Sequence, residues 1–499
     1  MGTMRGTRET IADNHAEVGP ALVALTAADL AGVGEELAAY HAYFAPLFAR
    51  REQRAWAAVY LRGLLTADVP RKNVEALALR LLGAGADAPR QVRALQQFIG
   101  AGAWDDAALL VAHERLVAET LGAADGVLIL DGRDVPKRGG HSVGVAAQWC
   151  GATGKIDNCQ AGVFLGYASR QGYTLLDRRL YVPKPWFTDA FAARRRACRL
   201  PADHTFQTKA ELAVELVEGW QRRGALPATW LVCDEWFGRQ QALLDRVAAV
   251  GLRYLAAVPR NTHVWPLREP ADSRRARPRP RAWVPPRAAS GKGRLGTPAR
   301  LHPDSPPALP LTAVAAQVPG RRWQRFRIAA GRKGPIVAAF VALRAVASRS
   351  GYREGLPGPE VWVLIRRAVP SGERTDGQPR APELKYYRSN TPAETPLAEL
   401  IRICGMRWAI ECCFAAGKGE RGMDHYELRS WPGWHHHMTL VILAHHFLVR
   451  RRRRLMARGQ PHPAEQARVR EGGHKTPRSR RGPCWTTVAV ARGPRPQPG

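Results

Sequence analysis

The chain has 499 residues, 45% of them hydrophobic and 8% aromatic, enough for a sizeable core and too many for one small domain. Its 75 Lys and Arg against 43 Asp and Glu give a formal charge of +32 at pH 7, the balance of a chain that meets a polyanion such as nucleic acid. No apolar run approaches the ~18 residues of a membrane span. Met1 to Asn14 lacks the apolar core of a secretory signal, so a cytoplasmic location is expected. The eight Cys form no CxxC pair and read as reduced thiols, not a zinc or disulfide framework.

From about 20 to 122 the pattern is helical. Leu30 to Arg50, Ala55 to Leu65 and Asn73 to Leu82 each carry apolar residues at helical spacing, and the stretch from Arg90 to Leu121 adds one or two helices. Residues 1–122 are thus expected to form a helical N-terminal domain, for DNA binding or for packing.

The texture changes at Gly126. Val127-Leu-Ile-Leu-Asp131 is an apolar run ending in a carboxylate. Ser142 to Cys150, Cys159 to Ala168 and Tyr173 to Val182 are β-rich and bounded by Gly, Asn or Pro. A helix is expected over Lys209 to Arg223, a buried strand over Thr229 to Asp234, a helix over Arg239 to Val250 and a strand over Tyr254 to Val258. This order fits an α/β fold with a ribonuclease-H-like sheet, whose first part would occupy 123–261.

Residues 262–300 hold ten Lys or Arg and two acids, with Arg277-Pro-Arg-Pro-Arg281 at their centre, and predict an extended basic segment. β-like pieces at Trp323 to Ala329, Ile336 to Ala342 and Val361 to Ile365 make 262–390 a β-rich insertion carried by that sheet. A helix from Pro396 through Lys418 and another from about Trp434 to Arg453 would complete the fold over 391–450. Residues 451–499, rich in Arg, Pro and Gly, are expected to be a basic disordered tail.

A carboxylate at the end of a buried strand costs desolvation unless it is compensated. Asp131 and Asp234 both end apolar runs, and side by side in one sheet they would repel each other. A divalent cation removes that repulsion; the alternative is that each is a cap or turn residue. On the helix around Arg407-Trp-Ala-Ile-Glu411, Cys404 lies seven and Arg407 four residues before Glu411, and Lys418 seven after it, so all four share one face, with Trp408, Ile410 and Phe414 facing the core. A plain salt-bridge ladder explains the same face.

The segments Asp131-Gly-Arg-Asp-Val-Pro-Lys-Arg-Gly139, His141-Ser-Val-Gly-Val145, Asn158-Cys-Gln-Ala-Gly-Val-Phe164, Asp234-Glu-Trp-Phe-Gly238, Val258-Pro-Arg-Asn261 and Gly417 to Trp431 resemble DDE transposases of bacterial insertion sequences. The resemblance runs from about 35 to 450 and is strongest to insertion-sequence family 701, within the insertion-sequence-4-like superfamily. It implies that Asp131, Asp234 and Glu411 are a catalytic, metal-binding triad. The superfamily carries Tyr, Arg, Glu and Lys at fixed steps on the last helix; this chain has Cys404, Arg407, Glu411 and Lys418, so Cys replaces the Tyr.

Oxygen ligands of this kind suit Mg²⁺, for which Mn²⁺ can substitute. Two ions about 3.5–4 Å apart serve an in-line displacement, with water and then a DNA 3′-hydroxyl as nucleophile. Arg407 and Lys418 would contact phosphate. Lys137, Arg138, His141, Arg260, Asn261, Arg429 and Trp431 are candidate DNA contacts, each with a surface or core residue as the bland alternative. Asp134 and Glu235 are weaker metal candidates, and Glu420 and Asp424 compete with Glu411. His435-His-His437 and His445-His446 diverge around a helix and fit packing or phosphate contact better than one metal.

The implied activity is that of a transposase that binds terminal inverted repeats of double-stranded DNA, as a homodimer in the DNA complex, cleaves there and joins the ends to target DNA near the nucleoid. The rivals are a ribonuclease-H-like nuclease without strand transfer and a catalytically inactive DNA-binding derivative.

Overall fold

In a computed structural model, residues 32–283, 299–331, 334–349, 355–368 and 383–458 are described. They form a mixed α/β structure with a large mixed sheet. Contacts divide them into two units, one of 127–129 and 228–407, the other of 32–126, 130–227 and 408–458.

The second of these units begins with helices α1 (Val33–Phe44), α2 (Arg51–Leu65), α3 (Val74–Leu82), α4 (Ala88–Ala101) and α5 (Asp106–Leu121). Asn73 and Asp105 cap α3 and α5 by accepting the N–H groups of Ala76 and Ala108. Strand β1 (Val127–Pro136) follows, then β2 (Ala146–Cys150), β3 (Lys155–Ser169) and β4 (Gly172–Tyr181). β2 and β4 both pair antiparallel with β3, and Gly154, at φ 68°, supplies the left-handed residue of the β2–β3 turn. Helices α6 (Ala192–Ala197) and α7 (Lys209–Arg223) come next, the latter opened by a capping box of Thr208 and Glu211.

The other unit continues with β5 (Trp230–Cys233), a short α8 (Glu235–Gly238), α9 (Gln241–Ala249) and β6 (Arg253–Val258). β5 and β6 are parallel, so α8 and α9 are their crossover. Strands β7 (His263–Pro266), β8 (Ala282–Trp283), β9 (Arg300–Leu301) and β10 (Leu309–Pro310), helix α10 (Leu311–Ala316), and strands β11 (Gln324–Gly331), β12 (Gly334–Ser348), β13 (Pro357–Ala368) and β14 (Leu384–Ser389) follow. β14 pairs antiparallel with β6 and with β13, and β13 with β12, so the β-rich stretch extends the sheet from β6 outward. Its core gathers Val258, Val341, Val363, Ile365 and Tyr386 under Leu311 and Val314 of α10. Helix α11 (Leu397–Met406) closes this unit; α12 (Trp408–Arg421) and α13 (Trp431–Arg458) return to the other.

Several expectations change. β1 does not end at Asp131: four buried residues precede it, and the strand runs on, less buried, to Pro136. Asp134 therefore lies in the strand. The helix expected through Lys418 is broken at Arg407, which caps α11, so Cys404 and Arg407 do not share a continuous helix with Glu411. Trp408, expected in the core, is 63% exposed, whereas Ile410 and Phe414 are buried. α13 starts at Trp431 and runs through Arg458, taking in the first residues of the expected tail; the rest of that tail, and 284–298 of the basic segment, lie outside the described residues.

α13 packs against α2, α4, α5, α12 and β4. Its histidines are the reason it can be buried so deeply. His436 stacks on Trp104 at 3.7 Å and bonds the Ile99 carbonyl at 2.9 Å. His437 bonds the Tyr60 hydroxyl at 2.8 Å and the Gly422 carbonyl at 3.1 Å; His446 reaches Tyr40 and Thr120, and His445 reaches Thr174. These rings are packing residues with satisfied nitrogens. Beside them a buried ion network joins Asp106 and Glu114 of α5, Asp177, Arg178 and Arg179 of β4, and Arg223 of α7.

Candidate active site

Asp234 stands one residue past β5, as its apolar run predicts. Its carboxylate accepts the Phe237 N–H at 3.0 Å and so caps α8. Burial pushes its pKa up, against the Phe237 and Trp236 N–H groups and the Arg407 and Arg239 guanidiniums that pull it down. A carboxylate in that state gains from a nearby cation. The bland reading of Asp234 as a cap is thus realised, but it leaves the burial penalty uncancelled.

Asp131 is half-buried where β1 passes from its apolar to its polar part, and accepts the Gly132 N–H at 2.7 Å. Glu411 is half-buried in the first turn of α12, where a helix N-terminus favours negative charge. Among the described residues no three His, Cys, Asp or Glu are gathered so as to hold a metal ion. By donor chemistry the three carboxylates suit a hard divalent cation.

The competing carboxylates have partners of their own, as Asp131 and Glu411 do, although the Asp424 Oδ1 is buried without a hydrogen bond among the described residues. Asp424 takes the Lys418 ammonium at 3.4 Å, and Glu420 takes Arg421 at 3.0 Å. Asp134 accepts the Gly151 N–H at 2.7 Å and faces Lys209 at 3.8 Å, while Glu235 pairs with Arg239 one turn on at 3.6 Å.

The candidate DNA contacts fall into two groups. Arg138, His141, Arg260, Asn261 and Arg429 are exposed. Lys137 is partly buried: its ammonium lies 3.4 Å from the Tyr426 ring centre and donates to the Tyr426 carbonyl at 3.1 Å, and burial lowers its pKa to about 8. Lys418 is tied to Asp424, and the Trp431 ring lies tilted against those of His204 and His435 at 4.6 and 4.2 Å.

Sequence reading passed over Arg133, two residues after Asp131. Its guanidinium lies 5.6 Å from the Phe414 ring centre, and it lines a cavity with Val135, Gln160, Phe164, Lys418 and Asp424. Strand alternation was the available signal, since it places residue 133 on the Asp131 side of β1.

A family model described as DDE superfamily endonuclease matches residues 43–327, more than half of the chain. The chain belongs to the DDE superfamily endonucleases. The match takes in Asp131 and Asp234 and ends before Glu411. None of the curated proteins matches the chain. Membership makes DNA the substrate and nuclease-type phosphodiester cleavage the activity, and endonucleases of this superfamily generally use divalent metals. No described helix of this DDE endonuclease is long and apolar enough to cross a membrane.

Proposed function

We propose that this endonuclease is a transposase of the insertion-sequence-4-like superfamily, most similar to insertion-sequence family 701. It binds terminal inverted repeats of its own element as a homodimer, cleaves there and joins the 3′-hydroxyl ends to target DNA. Membership of the DDE superfamily, with Asp131 and Asp234 inside the matched region, carries this reading. The charge of +32 supports DNA as the partner. The parallel β5–β6 pair with its helical crossover, and the β2–β3–β4 antiparallel group, support a ribonuclease-H-like catalytic domain. In this reading α1–α5 are an N-terminal helical module and 262–390 an insertion into the catalytic domain.

Asp131, Asp234 and Glu411 are assigned as the carboxylates that would hold Mg²⁺. When bound, such ions activate the attacking oxygen and stabilise the leaving one. Arg407 and Lys418 are assigned to backbone phosphates, where a cation offsets charge developing at phosphorus. Arg138, His141, Arg260, Asn261 and Arg429, all exposed, are assigned to the flanking DNA, as is the partly buried Lys137.

The test uses the purified full chain, Mg²⁺ and DNA with pre-cut inverted-repeat ends from the flanks of its coding region. Strand-transfer products are expected; nicks without joining would favour a nuclease, and binding without either product an inactive DNA-binding derivative. Asp131→Ala should abolish cleavage and spare binding.

A further inference from the structure

We propose that Arg133 is a positioning residue that clamps the Asp131 strand to the Glu411 helix; the proposal rests on the assignment of those two carboxylates above. Arg133 and Val135 line one cavity, so the odd-numbered residues of this part of β1 face the same way, and alternation puts Asp131 on that side. Across the cavity stands α12, which contributes Lys418. Phe414 follows Glu411 by three residues, one turn along the same side of α12.

The Arg133 guanidinium lies 5.6 Å from the Phe414 ring centre, within cation–π range. Phe414 is buried and held edge-on by Phe164 at 5.4 Å, so the ring is a fixed anchor. Arg133 Nε is buried without a hydrogen-bond partner among the described residues. The Phe414 ring is thus the contact the structure gives this buried side of the guanidinium. The contact therefore ties the register of β1 at Asp131 to the turn of α12 that carries Glu411. Both carboxylates would depend on it for their spacing toward a shared cation.

The experiment measures Mn²⁺ binding to the DNA-free full chain by electron paramagnetic resonance, with thermal unfolding alongside. Arg133→Gln should weaken Mn²⁺ roughly ten-fold, the size typical of an outer-shell positioning residue. Arg133→Lys, which keeps a cation over the ring, should stay within about two-fold of the parent. Phe414→Leu should weaken Mn²⁺ like Arg133→Gln, and the double variant should be no weaker than either. Unchanged Mn²⁺ affinity in Arg133→Gln, whatever happens to the melting temperature, overturns the clamp, as does full additivity of the two changes. Should Arg133→Gln fail to fold, Phe414→Leu decides: parental affinity overturns the proposal and weakened affinity supports it. Asp131→Ala separates the two levels. If it keeps Mn²⁺, the carboxylate assignment itself falls; if it loses Mn²⁺ while Arg133→Gln keeps it, only the clamp falls.

Discussion

The Asp234 carboxylate accepts the Phe237 N–H at 3.0 Å, so the same group ends β5 and caps α8. Asn caps a helix about as well as Asp, whereas Ala costs about 1 kcal/mol. Asp234→Asn is therefore expected to melt close to the parent, and Asp234→Ala lower. Both should lose DNA cleavage, because neither supplies a charged oxygen. Cleavage at the parental rate in a folded Asp234→Asn protein would reduce Asp234 to a cap.

Lys418 is held by Asp424 at 3.4 Å in the DNA-free protein, and a phosphate must compete with that carboxylate. Asp424→Asn is expected to tighten DNA binding a few-fold at low salt. Lys418→Met should reduce the slope of log affinity against log salt by about 0.9, the share of one phosphate contact. Fluorescence anisotropy across a salt series reads both; an unchanged slope in Lys418→Met would remove this residue from the interface.

Buried imidazoles set the acid limit of stability. Burial holds His437 at about 3, His435 at about 3 and His113 at about 4, while an unfolded imidazole titrates near 6.5. Below pH 6.5 the unfolded chain takes up protons that the folded one refuses, so stability falls as pH drops toward those folded values. The melting temperature should decline steadily between pH 6.5 and 4. His437→Gln, though less stable at neutral pH, should show a shallower decline; a flat profile in the parent would contradict the burial of these rings.

A second acid effect belongs to Asp177. Burial would push its carboxyl up, but the Arg179, Arg178 and Arg223 guanidiniums outweigh burial and hold it below its ordinary 3.8. Its contribution is fully present above that value and lost as pH falls through the folded pKa. Glu114, raised by burial, acts in the opposite direction. The difference between the parent and Asp177→Asn isolates the Asp177 share, and should vanish only below about pH 4.

Trp408 and Phe414 occupy the same helix with opposite exposure, 63% against 4%. Trp408→Ala should change stability by about 0.5 kcal/mol or less, and Phe414→Ala should cost 3–5 kcal/mol, roughly. Denaturant titrations compare them directly.

Composition and local pattern carried much of this. The run Val127 to Leu130, the helix over Lys209–Arg223, and the strand–helix–strand order of β5, α9 and β6 were legible because burial and helical spacing leave short-range marks. The charge pointed to a polyanion before any element was placed. What the tertiary structure decided was which of several possible partners each side chain found. The helix face shared by Arg407 and Glu411 was periodic on paper, yet a break at Arg407 divides it, and Trp408 stands exposed at the start of α12. Asp424 became the partner of Lys418, the histidines of α13 became buried hydrogen-bonding groups, and Arg133 came to rest on Phe414, some 280 residues along the chain. Such pairings join residues far apart in the chain, and periodicity, a property of neighbours, is blind to them.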